Sequence, residues 1–213
     1  PEVSVLSFTD GKVVKPMVSS MDHKRANDHD TGLNTGGMGT VAPNPYYTPA
    51  IAAECMEKIF LPTIQAMNAE GCPFKGCLYF GLMLTPDGPK VIEYNCRFGD
   101  PETQVVLPLL EGDLLHIMEA CTNGTLADED VKFSDGAAAC VILASGGYPV
   151  AYEKGKPISG LVDGQLPDEE NVTVYHSGTA LTEDGQLVTN GGRVLGVTAT
   201  GPRLTNALSH AYE

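Results

Sequence analysis

Short segments of alternating apolar and polar residues, each bounded by turn formers, occur near both ends of the first hundred residues. Residues 2–8 alternate well enough to predict a strand, Asp10-Gly11 predicts a tight turn, and residues 12–17 predict the returning strand. A second hairpin is predicted around Pro86-Asp87-Gly88, because β-prone apolar residues lie on both sides of that turn. The pattern therefore predicts antiparallel strand pairs.

Two longer segments instead repeat their apolar residues at helical spacing. The first begins with Thr48 as the N-cap and Pro49 in the first turn, and Pro62 is expected to kink or interrupt it. The second begins at Gly112-Asp113. Its buried face is expected to contain Leu114, Ile117, Met118 and Cys121.

The pattern changes after a polar and acidic segment, residues 123–136, which we interpret as a linker. Beyond it, strands are predicted at 138–144, 172–176 and 191–198, and the opening turns of a helix at 202–213. The chain is therefore expected to have an α+β fold. An antiparallel sheet with helices would occupy residues 1–122, and a smaller β-rich domain residues 137–213.

Composition restricts the class of partner. The chain has 213 residues, of which 42% are hydrophobic and 19% charged, ordinary values for a folded protein. Its net charge of −14 excludes a nucleic-acid or anionic-membrane surface, because no basic field offsets repulsion by phosphates. Small phosphorylated ligands remain compatible, since they need only a local cluster of donors. The six cysteines form no C-x-x-C pair, which indicates free and mostly buried thiols in a reducing compartment.

Residues 90–103 combine a predicted strand with a polar turn. Glu93 and Asn95 are two residues apart, so their side chains leave the same face of the strand, and their oxygens suit Mg²⁺. If the strand continues, Arg97 presents a planar guanidinium that can meet a phosphate beside the metal. Metal, carboxylate and arginine together indicate phosphoryl transfer. The alternative is that this E-x-N-x-R segment is only the solvated face of a sheet.

A glycine-rich segment, residues 22–39, has no apolar periodicity and many turn formers. Gly36, Gly37 and Gly39 allow consecutive backbone N–H groups to converge on an anion, so the segment is predicted to cradle phosphate. It is not a Walker loop, because no Lys-Ser/Thr follows the glycines. A flexible surface loop is the alternative.

Several motifs in a fixed order resemble one enzyme family. They are Asp22-His-Lys-Arg25, Thr31-Gly-Leu-Asn-Thr-Gly-Gly-Met-Gly39, Glu93-Tyr-Asn-Cys-Arg-Phe-Gly-Asp-Pro-Glu102, Ala144-Ser-Gly-Gly-Tyr-Pro149, His176-Ser-Gly-Thr179 and Thr189-Asn-Gly-Gly-Arg-Val-Leu195. Over essentially the whole chain they resemble the phosphoribosylamine–glycine ligase (glycinamide ribonucleotide synthetase) family of ATP-grasp enzymes. The N-T-G-G-M-G and E-x-N-C-R-F-G-D-P-E motifs are far more specific than a single glycine motif.

This resemblance implies a fold, a reaction and its cofactors. The fold would be the second half of an ATP-grasp core followed by most of a β-rich C-terminal domain. ATP would phosphorylate glycine, and the amine of 5-phosphoribosylamine would attack the glycyl phosphate, giving glycinamide ribonucleotide, ADP and phosphate in purine biosynthesis. The resemblance implies ATP with Mg²⁺ (or Mn²⁺), and a parent enzyme that is monomeric and cytoplasmic and binds neither nucleic acid nor membrane.

The family's motifs also imply roles for individual residues. These are the metal ligands Glu93 and Asn95, the catalytic residues Arg97 and Asp100, and the cofactor-binding residues Glu2, Arg25, Asn34 and Arg193. Glu2, Arg25 and Asn34 match positions that contact ATP, and Arg193 is a candidate for the substrate phosphate.

The chain also departs from the family pattern. Many ATP-grasp relatives carry a first acidic metal ligand on the preceding strand, where this chain has Leu82, which cannot bind Mg²⁺. A second ion would then depend on Glu93, phosphate oxygens and water. The family's N-terminal domain and ATP lid have no counterpart in these residues, so the isolated polypeptide is expected to be inactive.

Two other functions remain open on the residues alone. One is a different ATP-grasp carboxylase or ligase, against which the N-C-R-F-G-D-P-E run argues. The other is a non-catalytic nucleotide-binding or assembly module, which the missing segments make a fair alternative for the isolated polypeptide.

Overall fold

The computed structural model describes residues 1–167 and 169–213 and combines antiparallel sheets with short helices. The strands are β1 (Glu2–Thr9), β2 (Val14–Pro16), β3 (Met21–Asp22), β4 (Arg25–Asn27), β5 (Thr31–Asn34), β6 (Gly39–Ala42), β7 (Gly76–Thr85), β8 (Gly88–Asn95), β9 (Leu110–Glu111), β10 (Lys132–Phe133), β11 (Ala137–Ala144), β12 (Val172–His176), β13 (Thr179–Leu181), β14 (Leu187–Thr189) and β15 (Arg193–Gly201). The helices are α1 (Pro49–Cys55), α2 (Leu61–Ala69), α3 (Thr103–Val106), α4 (Leu114–Asn123) and α5 (Leu204–Tyr212), with a π-helical segment at Met56–Phe60 and 3₁₀ turns at Leu107–Leu109 and Leu126–Asp128.

The first sheet has the order β2-β1-β7-β8 and is antiparallel throughout. Both predicted hairpins are present in it. Val3, Phe80 and Leu82 point to one face and are almost completely buried against Phe60 and Ile64 of the helical segment. Alternation along each strand therefore sends the neighbouring residues to the opposite face, where the candidate site lies.

The helix that covers this sheet confirms the predicted caps and shows how Pro62 is accommodated. The hydroxyl of Thr48 accepts a hydrogen bond from the Ile51 N–H, and Pro49 is the first helical residue. Because Pro62 has no N–H to donate four residues back, the preceding turn widens into the π-helical segment, where the Leu61 N–H donates to the Met56 carbonyl. The helix continues through this disturbance instead of ending.

A second sheet, of order β12-β15-β11-β6-β3, draws strands from both sides of the predicted linker. Strand β11 lies between β15 and β6, pairing Ala138 with Thr200 on one side and with Ala42 on the other. Helix α5 packs on this sheet through Ala207 and Ala211. The two predicted domains thus share a sheet, and the domain division at residues 123–136 stays a prediction.

The predicted linker is itself packed. Leu126 is completely buried, its N–H donates to Asp10 Oδ2 at 3.3 Å, and β10 pairs with β9. The predicted buried face of α4 is wrong at one position: Met118 is 39% exposed, whereas Ile117 and Cys121 are buried.

The cysteines are all free, as predicted. Three are buried (Cys55, Cys121 and Cys140), Cys77 is half-buried, and Cys72 and Cys96 are exposed. None of the helices that the structure describes is long and apolar enough to cross a membrane.

Candidate active site

The predicted metal ligands lie at the open end of strand β8. Glu93 and Asn95 do share one face, and Asn95 Nδ2 donates to Glu93 Oε1 at 3.1 Å. Glu93 is exposed, and it stands directly across from Gly81 of β7. A Cβ on Gly81 would lie 2.8 Å from Glu93 Cγ, so the glycine is what lets the Glu93 side chain lie over the neighbouring strand. Leu82 is fully buried on the other face, so it takes no part in this site.

These two residues suit a hard cation in the chemistry of their donors. A carboxylate oxygen and the amide oxygen of Asn95 are the oxygen ligands that Mg²⁺ prefers, and Mg²⁺ in phosphoryl-transfer sites commonly takes only one or two carboxylates together with phosphate and water. Among residues 1–167 and 169–213 no group of three or more His, Cys, Asp or Glu side chains could hold a metal. A metal at Glu93 and Asn95 would therefore depend on a phosphorylated ligand for much of its coordination.

The turn after β8, residues 96–102, carries the two predicted catalytic residues. Arg97 lies beyond the end of the strand, is exposed, and folds back so that Nη1 donates to the Phe98 carbonyl at 2.7 Å. Strand β8 thus ends before Arg97, whereas the prediction that Arg97 shares a face with Glu93 and Asn95 required the strand to continue. Asp100 is exposed and is oriented by Gln104, whose Nε2 donates to Asp100 Oδ1 at 2.9 Å.

Beneath this turn is a buried polar network that the sequence analysis did not identify. Glu102 is 4% exposed and accepts a hydrogen bond from the Tyr79 hydroxyl at 3.0 Å, and Ser4 Oγ lies 2.8 Å from that hydroxyl. Burial, with the nearby Glu102 carboxylate, raises the pKa of Tyr79, so its hydroxyl stays protonated as the donor. The only available signal was that Ser4 and Tyr79 interrupt otherwise apolar strands.

A second carboxylate, the half-buried Asp22, lies next to this network. Burial raises the pKa of Asp22 to about 7, and the charge of Glu102 adds to the shift, while Lys24 and Arg193 oppose it. A Cβ on Gly37 would lie 2.6 Å from Asp22 Oδ1, so Asp22, the first residue of the glycine-rich segment, packs directly against Gly37.

The glycine-rich segment is more ordered than predicted. Strands β4 and β5 form a small hairpin that pairs Arg25 with Asn34, and Arg25 Nη1 donates to the Gly32 carbonyl at 3.1 Å. Both side chains are exposed. Glu2 is exposed nearby, with a carboxylate oxygen 3.9 Å from Lys24 Nζ. The three predicted ATP-contacting residues therefore all present side chains to the open surface.

The predicted cradle of free backbone N–H groups is wrong for the glycine loop, which we define as residues 35–39. The N–H groups of residues 35, 36, 37 and 38 already donate to the Lys24 carbonyl, the Tyr148 hydroxyl, Thr35 Oγ1 and the His23 carbonyl. Since these four donors have partners within the protein, residues 35–38 do not hold a converging set of free donors open for an anion.

Arg193 joins the loop to the catalytic turn. Its Nη1 donates to the Gly36 carbonyl at 2.8 Å and to the Asp100 carbonyl at 3.0 Å, and lies 3.4 Å from Asp100 Oδ1. In the described part of the chain no hydrogen bond engages its Nε or Nη2. The structure thus brings Arg193 together with Asp100 and the glycine loop. Glu93 and Asn95 form a second group, and no hydrogen bond or ion pair between described residues links the two groups.

A pocket of about 290 Å³, lined by polar side chains and by Leu107, opens beside Asp100. One wall is Asp100, Thr103 and Gln104, and the other is Tyr175, His176 and Ser177 from the end of β12. His176 is held in place because Nε2 contacts the Gly164 carbonyl at 2.9 Å and Nδ1 contacts Thr179 Oγ1 at 3.1 Å. Hydroxyl, amide and carboxylate groups facing one space suit a small polar substrate.

Comparison with known families gives two matches that lie end to end on the chain. The model for the phosphoribosylglycinamide synthetase ATP-grasp (A) domain matches residues 1–103, and the model for the C domain of the same synthetase matches residues 138–213. The phosphoribosylamine–glycine ligase of Synechocystis sp. is 48% identical over 213 residues, which is 99% of this chain and 50% of that protein. The chain spans about half the length of the curated relatives it matches.

Solved structures agree with the predicted fold. The crystal structure of phosphoribosylamine–glycine ligase from Thermotoga maritima matches all of this chain and 51% of its own, with a TM-score of 0.87 and 37% identity. The biotin carboxylase domain of a Hydrogenobacter thermophilus 2-oxoglutarate carboxylase, solved with MgADP, ADP and bicarbonate, matches 98% of this chain and 43% of its own, with a TM-score of 0.66 and 16% identity. At that identity the second likeness shows the fold alone. The predicted α+β fold of the ATP-grasp type is confirmed.

Proposed function

Because the chain belongs to the phosphoribosylglycinamide synthetase family, we propose that it forms part of an ATP-dependent carbon–nitrogen ligase that joins glycine to 5-phosphoribosylamine in purine biosynthesis. The observation that carries the proposal is that Glu93 and Asn95 lie side by side at the open end of β8, with Asn95 Nδ2 3.1 Å from Glu93 Oε1, in a chain that the two family models match on either side of residues 104–137. Membership in this family argues against the alternative of an unrelated ATP-grasp carboxylase.

We propose that Glu93 and Asn95 hold Mg²⁺ or Mn²⁺, which would neutralise the phosphate charge of ATP as the γ-phosphoryl group moves to the glycine carboxylate. Glu93 has no ion-pair partner within 4.0 Å among the described residues, so its charge is available to a cation. Glu2, Arg25 and Asn34 are proposed to contact ATP through their exposed side chains, since the backbone N–H groups of the glycine loop are already used.

The catalytic turn is proposed to act on the acyl phosphate. A carboxylate is a poor acyl donor, and its phosphorylation creates a leaving group that the amine can displace. The Arg97 guanidinium is exposed and able to stabilise phosphate charge, and Asp100 Oδ2, which has no hydrogen-bond partner among the described residues, is proposed to accept the proton that the attacking amine loses. The unused Nε and Nη2 donors of Arg193 are proposed to meet an anionic group of the substrate.

Acyl phosphates hydrolyse unless water is kept out, so an open site is a poor catalyst. Glu93, Arg97 and Asp100 are all exposed in this chain, whose matched relatives are about twice as long. We therefore propose that these 213 residues alone are inactive, and that the intact enzyme is a cytoplasmic monomer in which residues 1–122 and 137–213 form two domains that are linked by 123–136 and share the β12-β15-β11-β6-β3 sheet.

The test is ADP release by the intact gene product that contains this chain, with glycine and phosphoribosylamine omitted in turn. We expect ADP to form only when glycine is present, and Glu93→Gln to lower kcat by about 100-fold or more, because it removes the charged metal ligand and no core volume. Glu183→Gln, at an exposed turn, is the matched control. Near-normal turnover of Glu93→Gln at saturating Mg²⁺ would falsify the metal assignment, and ATP binding without turnover would favour the non-catalytic alternative.

A further inference from the structure

Two C-terminal motifs, S-G-G-Y-P at 145–149 and N-G-G-R at 190–193, are not explained by the chemistry of the metal strand. In the structure both motifs meet the glycine loop at the same residue, Gly36. The Gly36 N–H donates to the Tyr148 hydroxyl at 3.1 Å, and the Gly36 carbonyl accepts from Arg193 Nη1 at 2.8 Å. One peptide segment of the ATP-grasp half is thus held on both sides by the C-terminal region.

Within these motifs, the bare backbone of Gly192 is what allows the Tyr148 ring to lie next to Arg193 and reach Gly36. Tyr148 is placed by Ser145, whose N–H donates to the Gly192 carbonyl at 2.7 Å and whose hydroxyl donates to the Gly191 carbonyl at 2.7 Å. A side chain on Gly192 would collide with the Tyr148 ring. The ring therefore lies on bare backbone next to Arg193.

Gly36 is restricted from the other side. A Cβ at Gly36 would lie 3.0 Å from Arg193 Cζ, closer than side chains normally pack. The same guanidinium nitrogen that holds the Gly36 carbonyl also donates to the Asp100 carbonyl at 3.0 Å. Any movement of the loop at Gly36 is therefore transmitted to the turn that carries Asp100.

We propose that Tyr148 and Arg193 Nη1 lock the glycine loop to the turn at residues 96–102, so that Tyr148 is a positioning residue and Arg193 holds this junction in addition to its proposed contact with the substrate. Through this lock they fix the distance between the hairpin that presents Arg25 and Asn34 and the turn that presents Asp100. The proposal rests on the proposed ligase function, because it supposes that nucleotide and acceptor are brought together across this junction. Small misplacements of reacting groups cost rate more than they cost binding.

The direct test compares Tyr148→Phe and Arg193→Lys with the wild type in the intact gene product. Tyr148→Phe removes only the hydroxyl and keeps the ring on Gly192. We expect kcat to fall about fivefold with the KM for ATP changed less than twofold, which corresponds to loss of one ordinary hydrogen bond in the transition state. Arg193→Lys keeps the charge, but one ammonium cannot hold both carbonyls in the same geometry, so a larger fall is expected.

Tyr152→Phe is the matched control, because its ring lies 6.2 Å from that of Tyr148 and its hydroxyl has no hydrogen bond among the described residues. The double variant supplies the sharpest comparison. Since both residues act through Gly36, the effects of Tyr148→Phe and Arg193→Lys should be less than additive. Full additivity would overturn the shared lock.

Hydrogen exchange separates failure of this inference from failure of the proposed function. In Tyr148→Phe we expect faster exchange at the Gly36 amide and also in residues 99–106, with the Tm unchanged within about 1–2 °C. Hydrogen exchange does not depend on turnover. If the enzyme formed no ADP in response to glycine, the proposed function would be refuted, but the exchange measurement would still test whether Tyr148 and Arg193 hold the loop to the turn. Exchange that rises at Gly36 alone, or not at all, would overturn the proposal.

Discussion

The two faces of the β2-β1-β7-β8 sheet are built from the same strands but differ in the residues they present. On one face Val3, Phe80 and Leu82 are packed under the long helix, with Phe60 and Phe80 ring centroids 4.3 Å apart. On the other face, towards the Glu2 end, the residues are Ser4, Tyr79, Gly81, Glu93 and Asn95. Alternation along the strands thus places a packed apolar face one residue away from the candidate site, while farther along the site's own face Leu6 and Phe8 belong to another hydrophobic core.

The comparison predicts that substitutions on the apolar face change stability and leave the ligands in place. Leu82→Ala removes a fully buried side chain, and we expect a loss of about 2–5 kcal/mol in the free energy of unfolding. Urea denaturation of the 213-residue chain measures this. Leu181→Ala, at a leucine that is 70% exposed, is the matched control and should cost less than about 0.5 kcal/mol. Equal losses for the two variants would mean that this face is not a packed core.

Next to the polar face, the half-buried carboxylate of Asp22, on β3 of the second sheet, should lower stability at high pH when it is charged. The pKa of Asp22 is raised to about 7 by burial and by Glu102, from an ordinary value of 3.8. Between these values the folded state keeps the proton that the unfolded state releases, so the free energy of unfolding falls as pH rises and the full penalty is present above about 7.

Replacing Asp22 by Asn removes this titration. Relative to the wild type, the variant should gain stability on the order of 2 kcal/mol between pH 4 and pH 8, because the penalty it removes exists only at the higher pH. Thermal unfolding at a series of pH values measures the gap. A stability difference between the two proteins that does not vary with pH would show that Asp22 ionises as freely in the folded state as in the unfolded state.

The smallest expected effect is on the polar face itself, at Gly81, which stands across from Glu93. Gly81→Ala would push its Cβ to 2.8 Å from Glu93 Cγ, so the Glu93 side chain must move away from Asn95. We expect Mn²⁺ to bind about threefold to tenfold more weakly, with the fold retained. Calorimetry with the intact gene product and ATP measures this. Gly146→Ala, where a Cβ meets nothing within 4 Å, is the control. Unchanged Mn²⁺ affinity in Gly81→Ala would place the metal away from Glu93.

The features that depend only on neighbouring residues were predicted correctly from the sequence. The β1–β2 and β7–β8 hairpins, the Thr48 cap and the shared face of Glu93 and Asn95 follow from alternation and turn chemistry over a few residues. Strands β3 and β6 were not predicted, because they are short and find their sheet only by pairing with β11, about a hundred residues later.

The site was harder to predict than the fold for a related reason. The residue types around Glu93 were identified, but the roles of Tyr79, Glu102 and Tyr148 depend on partners distant in the chain. The glycine loop shows the limit most clearly. Its glycines were read as space for phosphate, whereas at Gly36 and Gly37 the space is filled by Arg193, Asp22 and Pro101. A glycine in the sequence indicates that another group approaches its backbone closely, but it does not identify that group.

The shared five-stranded sheet has a consequence for how this protein can be divided. The family models match residues 1–103 and 138–213 as separate units, yet β6 from the first unit is hydrogen-bonded to β11 from the second. The two segments that the family models match separately therefore depend on each other for the pairing of these strands. Cutting the backbone between residues 123 and 136 would give two pieces that each expose an unpaired strand edge, β6 on one and β11 on the other. Such pieces are suited to fragment complementation, because each carries the edge that the other needs.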